Sequence, residues 1–346
     1  MTTALRRAIG RVVALACTVT VCVAHVSAQG VPDPRSVPPG IDQGCLSRTL
    51  VATGGAAPKN PRTLAIRWVG HSNFELAYNG QVILLDAYYD RSPRFAPLGF
   101  RAADVTRADV ILLGHGHVDH MSDAVSVARR TGALVVGAPV TTESLQRQAL
   151  DPKQIRTVTG RNGEVLEFKG FTVESILGRH GEPEPSVVTS FNRAMGETLP
   201  PLTPAQQEDV AAMRARGTQD PRVVAEGSIA YLITFDNGFR IMYRDTGGRV
   251  TDLEKAAMAR IGGRVDVAIA ASASAWLPNL QAERALEFMR AYSPDVYFPA
   301  HHDDDIWRPT ESIFQALKDE NPRLITVSRV YREPTCFDTD RNVSRR

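Results

Sequence analysis

Residues 110 to 120 read Val-Ile-Leu-Leu-Gly-His-Gly-His-Val-Asp-His. The first four are a short, unbroken apolar run, which predicts a strand buried on both faces. The stretch that follows places His115, His117, Asp119 and His120 within six residues. Imidazoles and a carboxylate are preferred ligands of zinc and similar divalent ions. The chain must therefore build a sheet covered on both sides and open a polar site at the end of one of its strands.

The N-terminus reads as a secretory signal over residues 1–28. Arg6, Arg7 and Arg11 precede an apolar centre from Val12 to Val26, and Val26-Ser27-Ala28 forms a small-residue cleavage site. The apolar centre is short for a membrane span and contains threonines and a histidine. Cleavage after residue 28 would leave 318 of the 346 residues. It removes three arginines and no acidic residue, so the net charge falls from +2 to −1. Such a balance argues against nucleic acid and against an anionic membrane as partners. The expected location is periplasmic or extracellular, with no stable membrane insertion after cleavage. Cys17 and Cys22 leave with the signal, so Cys45 and Cys336 remain, and an oxidising compartment predicts a disulfide between them.

Residues 29–61, rich in Pro, Gly and Ala, read as an extended arm. Strands are expected at 63–69, 73–78 and 81–85, the last two joined by the Asn79-Gly80 turn. A helix over 122–130 stops at Thr131-Gly132, and 133–136 is a buried strand. Residues 164–168 and 171–176 form a hairpin. The polar stretch 181–226 breaks the pattern and reads as an insertion with one helix near 203–216, of the kind that shapes active-site entrances. Strands return at 228–235, 239–243, 265–270, 295–298 and 324–330, with helices at 280–292 and 310–320. The hydrolase-like domain is placed at 62–335 and a tail at 336–346. Two hairpin-plus-strand–helix halves predict an α/β sandwich of two sheets flanked by helices.

The HxHxDH motif resembles that of the metallo-β-lactamase superfamily, and three further segments match in order. His180 stands in Gly-Arg-His-Gly, Asp245 in Arg-Asp-Thr-Gly and His301 in Pro-Ala-His, each after an expected strand. The resemblance spans roughly residues 63–331 and implies the four-layer αββα sandwich. It implies one metal on His115, His117 and His180, a second on Asp119, His120 and His301, and Asp245 bridging the two. Such ions, ~3.5–4 Å apart, share and activate a hydroxide. Zinc is the expected metal, manganese or iron being alternatives. Asp119 is also a catalytic candidate, for orienting the nucleophile or shuttling a proton. His302 competes with His301 as ligand and is a second catalytic candidate. The segment Gly70-His71-Ser72 with Asp86 resembles a branch holding ascorbate-6-phosphate lactonases and N-acyl-phosphatidylethanolamine phospholipase D-type enzymes. It makes His71 a candidate substrate contact and Asp86 a candidate for orienting a ligating histidine. Arg244 stands where the family has glycine, so it points either at an anionic substrate or at solvent. Asp303, Asp304 and Asp305 read as a solvated turn or as partners of a ligating histidine. Trp276, Trp307 and Tyr243 are pocket or core aromatics.

The expected function is an exported dinuclear metal hydrolase acting on an ester, lactone or phosphodiester of a small molecule. A β-lactam hydrolase is the alternative, disfavoured by Asp245, and a non-catalytic metal-binding module of the same fold is the other. The oligomeric state is left open by the sequence.

Overall fold

The computed structural model describes residues 51–340, apart from 94, 96, 182–185, 187–188, 190–192, 194–199, 219, 272–280, 304–309, 328–330 and 332. The expected signal segment, Cys45, Trp276, Trp307, Asp304 and Asp305 lie outside the described residues. Among the described residues no helix is long and apolar enough to cross a membrane.

Fourteen strands are described, in two seven-stranded sheets. The first contains β1 (Thr63–Trp68), β2 (Phe74–Tyr78), β3 (Gln81–Leu85), β4 (Val110–Leu112), β5 (Leu134–Gly137), β6 (Ile155–Thr157) and β14 (Pro334–Asp338), in the order β14-β1-β2-β3-β4-β5-β6. The second contains β7 (Glu164–Phe168), β8 (Phe171–Gly178), β9 (Ser228–Phe235), β10 (Arg240–Arg244), β11 (Val267–Ala270), β12 (Val296–Pro299) and β13 (Ile325–Thr326), in the order β13-β12-β11-β10-β9-β8-β7. Each sheet is antiparallel over its hairpins and then parallel, with β3 to β6 parallel in the first and β10 to β13 in the second. The helices are α1 (Val118–Met121), α2 (Ala124–Thr131), α3 (Pro139–Arg147), α4 (Pro204–Ala215), α5 (Arg222–Glu226), α6 (Asp252–Arg260), α7 (Gln281–Tyr292) and α8 (Thr310–Glu320).

The period-2 alternation of side chains sorts the core into layers. Leu64 and Ile66 of β1 face inward with Leu76, Ile83 and Leu112 to meet Val173, Ile233, Ile241 and Phe298 of the second sheet. Ala65 faces outward, with Leu84 and Ile111, under Val127 and Ala128 of α2. On the far side Leu232, Met242 and Ala268 pack under Met258, Phe288 and Leu317 of α6, α7 and α8. This is the αββα sandwich expected. Each fully buried large aliphatic side chain contributes roughly 1.5–3 kcal/mol relative to exposure.

Local signals explain the boundaries. Asn79 (φ 45°) and Gly80 (φ 75°) form the tight turn between β2 and β3. α2 stops at Gly132 in the left-handed region (φ 78°). Inside the insertion, Thr203 and Gln206 form a capping box that starts α4. The sequence reading differs from the structure at the C-terminus. Pro334–Asp338 pairs with β1 across Thr63–Arg67, so the domain runs on through Cys336 into what was expected to be a tail. Residues 51–53, expected in the extended arm, form a 3₁₀ turn with Val51 and Ala52 buried in the outer layer.

Strand direction positions the site. β1, β3 and β4 run the same way in the first sheet, as do β8, β10 and β12 in the second. Their carboxyl ends carry His71, Asp86, the His115–His120 loop, His180, Asp245 and His301. The two sheets are tied at this edge where the Ile229 amide donates to the Gly114 carbonyl (2.8 Å) and the Tyr231 hydroxyl to the Leu113 carbonyl (2.7 Å).

Candidate metal centre

The motif loop leaves β4 at Gly114, which has no room for a side chain, since a Cβ there would lie 1.9 Å from Asp245 Oδ2. His117 then caps the single turn of α1, which carries Asp119 and His120. Two groups of donor atoms result, each within 4.8 Å of one another: His115, His117 and His180, and beside them His71, Asp119, His120 and His301. His115 Nε2 and His117 Nδ1 approach to 3.0 Å, as do His71 Nε2 and Asp119 Oδ2. His120 Nε2 and His301 Nε2 each lie 3.6 Å from the same carboxylate oxygen.

The carboxylates behind the histidines fix which ring nitrogen faces the site. His120 Nδ1 donates to Asp86 Oδ2 (2.7 Å), leaving Nε2 as the free lone pair. Asp86 also accepts from Ser72 Oγ (2.7 Å), the Tyr243 hydroxyl (2.6 Å) and the Gly114 amide (3.0 Å). This is the orienting role expected of Asp86. His115 Nδ1 donates to Asp245 Oδ2 (2.5 Å), and Ser228 Oγ donates to the other oxygen. A third set of neighbouring donors, His115, His120 and Asp245, is this hydrogen-bonded cluster itself. Asp245 lies against one histidine of each donor group, at the place where the resemblance implies a bridge. Its Oδ2 lies 2.5 Å from His115 Nδ1 and 3.5 Å from His120 Nδ1.

The electrostatics suit a cation. Burial and neighbouring imidazoles push His115 down to about 3 and His180 to about 2; burial pushes His120 to about 3. All three rings are neutral near pH 7, with lone pairs available. Burial pushes Asp119 up, but His120, His301 and His71 together hold it well below the usual carboxylate range. Asp245 is likewise held low against burial, by His115 and His120. Burial and the proximity of Asp245 push Asp86 up. The buried Nδ1 of His180 has no hydrogen-bond partner among the described residues. A buried, unsatisfied nitrogen beside two other imidazoles is costly unless something completes it, and a divalent ion fits this donor set.

Two arginines hold the loops that lie far from the motif in sequence. Arg244 is fully buried, so it reaches neither solvent nor substrate, contrary to both readings offered for it. It pairs with Glu254 (2.9 Å) and donates to the carbonyls of Arg179 (2.8 Å) and Gly248 (3.0 Å), stapling the His180 loop to the loop after Asp245. Gly178 makes room for it, since a Cβ there would sit 2.0 Å from Arg244 Nη1. On the other side Asp303 accepts from the His71 amide (2.9 Å), Arg91 Nη1 (2.6 Å) and the Tyr331 hydroxyl (2.5 Å). Asp303 is therefore a loop brace, bonded to the His71 backbone rather than to an imidazole, a role neither reading of the aspartate run gave it. His302 stacks on Trp68 with ring centroids 4.0 Å apart and belongs to neither donor group, whereas His301 joins the second. Ser72, Ser228, Arg91 and Tyr331 were missed by the sequence reading. Only Ser72 had a signal, its place in Gly-His-Ser.

The site backbone is strained where it must be. Three of the six described non-glycine residues with positive φ are His71 (52°), Asp86 (59°) and His301 (57°). Such residues persist when the surroundings over-determine them, and they concentrate at functional sites.

A family profile described as a beta-lactamase superfamily domain matches residues 81–199. A UPF0173 metal-dependent hydrolase of Lawsonia intracellularis is 30% identical over 132 residues, which are 37% of this chain and 56% of that protein. One from Agrobacterium fabrum is 33% identical over 141 residues, 39% of this chain and 57% of that protein. The chain thus spans about half the length of the curated relatives it matches. The solved structure of a metallo hydrolase from the archaeon Ignicoccus hospitalis superposes with a TM-score of 0.54 at 16% identity, covering 80% of this chain and 98% of that one. At that identity the likeness concerns the fold.

Proposed function

We propose that this chain, a member of the metallo-β-lactamase superfamily, is an exported metal-dependent hydrolase that holds two divalent ions, zinc by default. The observation that carries the reading is the pair of adjacent donor groups at one sheet edge, with His115 and His120 oriented by carboxylates that leave Nε2 free. Divalent ions in such a site lower the pKa of bound water toward neutrality and polarise a carbonyl or phosphoryl oxygen. The chain's own contribution is positional. Asp86 and Asp245 fix two tautomers, Arg244 and Asp303 fix the His180 and His301 loops, and Asp119 stays ionised with its side chain 33% exposed. An ionised, accessible carboxylate accepts a hydrogen bond from a reacting water and so orients it. No serine or cysteine nucleophile is required.

An ester, a lactone or a phosphodiester of a small molecule is the proposed substrate. Metal content of the purified protein, combined with turnover of lactone, phosphodiester and β-lactam probes, tests it. The expected result is about two metals per chain and metal-dependent cleavage of one probe class, abolished in His115→Ala. Metal retained without turnover of any probe would instead mark a non-catalytic binding module. Export and the Cys45–Cys336 disulfide remain part of the proposal. Intact mass should fall short of the reduced chain by two hydrogens.

A further inference from the structure

We propose that His71 is the fourth protein donor of the second group, closing it with three imidazoles and one carboxylate, so that the open coordination position of the centre lies at His115, His117 and His180. This inference rests on the metal-dependent reading above. His71 Nε2 lies 3.0 Å from Asp119 Oδ2, and its ring centroid lies 3.6 Å from that of His301 and 5.0 Å from that of His120. Its candidate donor atom falls within 4.8 Å of those of all three. The side chain is 1% exposed, which leaves little surface for a substrate contact.

The backbone around His71 is built to aim the ring. The His71 amide donates to Asp303 (2.9 Å), and its carbonyl accepts from Trp68 Nε1 (2.8 Å) and from the His301 amide (2.9 Å). The residue is held in the left-handed region at φ 52°, a conformation that costs of order 1–3 kcal/mol. The bond to the His301 amide locks two imidazole-bearing loops, from β1 and from the end of β12, into one unit. Asp245 is not among the four donors of this group, and its oxygens accept from His115 and Ser228.

Donor number then separates the two groups. Four protein ligands make a closed, tetrahedral site, whereas three leave a position for water or substrate. The mixed group would hold its ion as an electrostatic and structural neighbour. The three-imidazole group would present the open position.

The full chain, stripped of metal with a chelator, is offered excess zinc, desalted and analysed for zinc per chain, alongside His71→Gln and His71→Asn. Glutamine keeps an N–H near the reach of Nε2 and so can still hydrogen-bond Asp119, but it offers no imidazole lone pair. Asparagine suits the left-handed backbone should glutamine fold poorly. Folding is checked by circular dichroism and thermal melting. The expected result is that each folded variant retains one equivalent fewer than the wild type. A folded variant that retains the wild-type number, as tightly, overturns the proposal and makes His71 a hydrogen-bond partner of Asp119 only. A wild type that retains fewer than two equivalents sinks the two-ion reading. The difference between wild type and variant still decides His71.

Discussion

The two donor groups sit side by side but are held by unlike braces. The His180 loop hangs on Arg244 and Glu254, both with no exposed side-chain surface, packed against Phe288 and Tyr292. The His71 and His301 loops hang on Arg91 and Asp303, whose side chains are 4% and 10% exposed, at the rim near Tyr331. Both are arginine–carboxylate pairs anchoring a loop that follows a strand. The dielectric around them differs. A fully buried pair cannot trade a lost partner for water, whereas a rim pair can. The same device should therefore couple to folding in one place and to metal retention in the other.

The largest expected effect breaks the buried brace. Glu254→Ala leaves the Arg244 guanidinium charged and buried, and removes the acceptor of the Tyr292 hydroxyl. Removing one partner of such a pair costs roughly 3–5 kcal/mol, read as a lower urea midpoint at unchanged slope. Asp303→Asn at the rim should cost about 1–2 kcal/mol but weaken retention of one metal equivalent about tenfold or more, as loss of orienting partners does. Equal destabilisation by the two variants would erase the distinction between the braces.

Acid acts on both groups through the histidines, and the sign follows from their protonation. In the folded metal-free chain His115 and His120 titrate at about 3 and His180 at about 2, against 6.5 for the ordinary side chain. The unfolded chain therefore binds more protons below pH 6.5, and stability rises with pH across that window. Their contribution is complete above pH 6.5 and is lost as pH falls from there toward 3. The metal-free protein should thus lose melting temperature from about pH 6.5 downward. A melting temperature flat from pH 7 to pH 4.5 would contradict the buried, neutral state of these rings.

The sheets, the helices α2, α4, α7 and α8 and the motif loop were legible because their signals are local. Apolar alternation, Asn79-Gly80 and the run before His115 each act over a few residues. His180 and His301 were legible only through resemblance, since nothing within ten residues of either shows which neighbours will surround it. Short strands escaped for the same reason. β6 is three residues long with two of them exposed, and β14 is ordered by pairing with β1, far earlier in the chain. The misplacement of Arg244 is instructive. An arginine after a strand reads as solvent-facing until Glu254, ten residues on, is known to fold back beneath it. The role of Asp245 was legible only through resemblance, because an acidic residue's part as ligand or orienter depends on which nitrogen of which histidine it meets.

The smallest expected effect concerns the insertion, whose end docks on the motif loop. The Thr218 amide donates to the Gly116 carbonyl (2.9 Å), and a Cβ on Gly217 would lie 2.4 Å from the Val118 Cα. Arg216 adds bonds to the Ser122 carbonyl (3.1 Å) and to Asp123 (3.3 Å), but its side chain is 36% exposed. Water can replace much of what that side chain gives, so Arg216→Ala should cost under about 1 kcal/mol and leave both metals in place. Gly217→Ala changes less chemistry, yet it forces α1 and the insertion apart at backbone level, where neither can yield cheaply. If the insertion braces the motif loop, metal retention falls in Gly217→Ala and not in Arg216→Ala. If it serves only the entrance, both variants keep their metal and only KM moves. That outcome would place the insertion outside the comparison between the two braces.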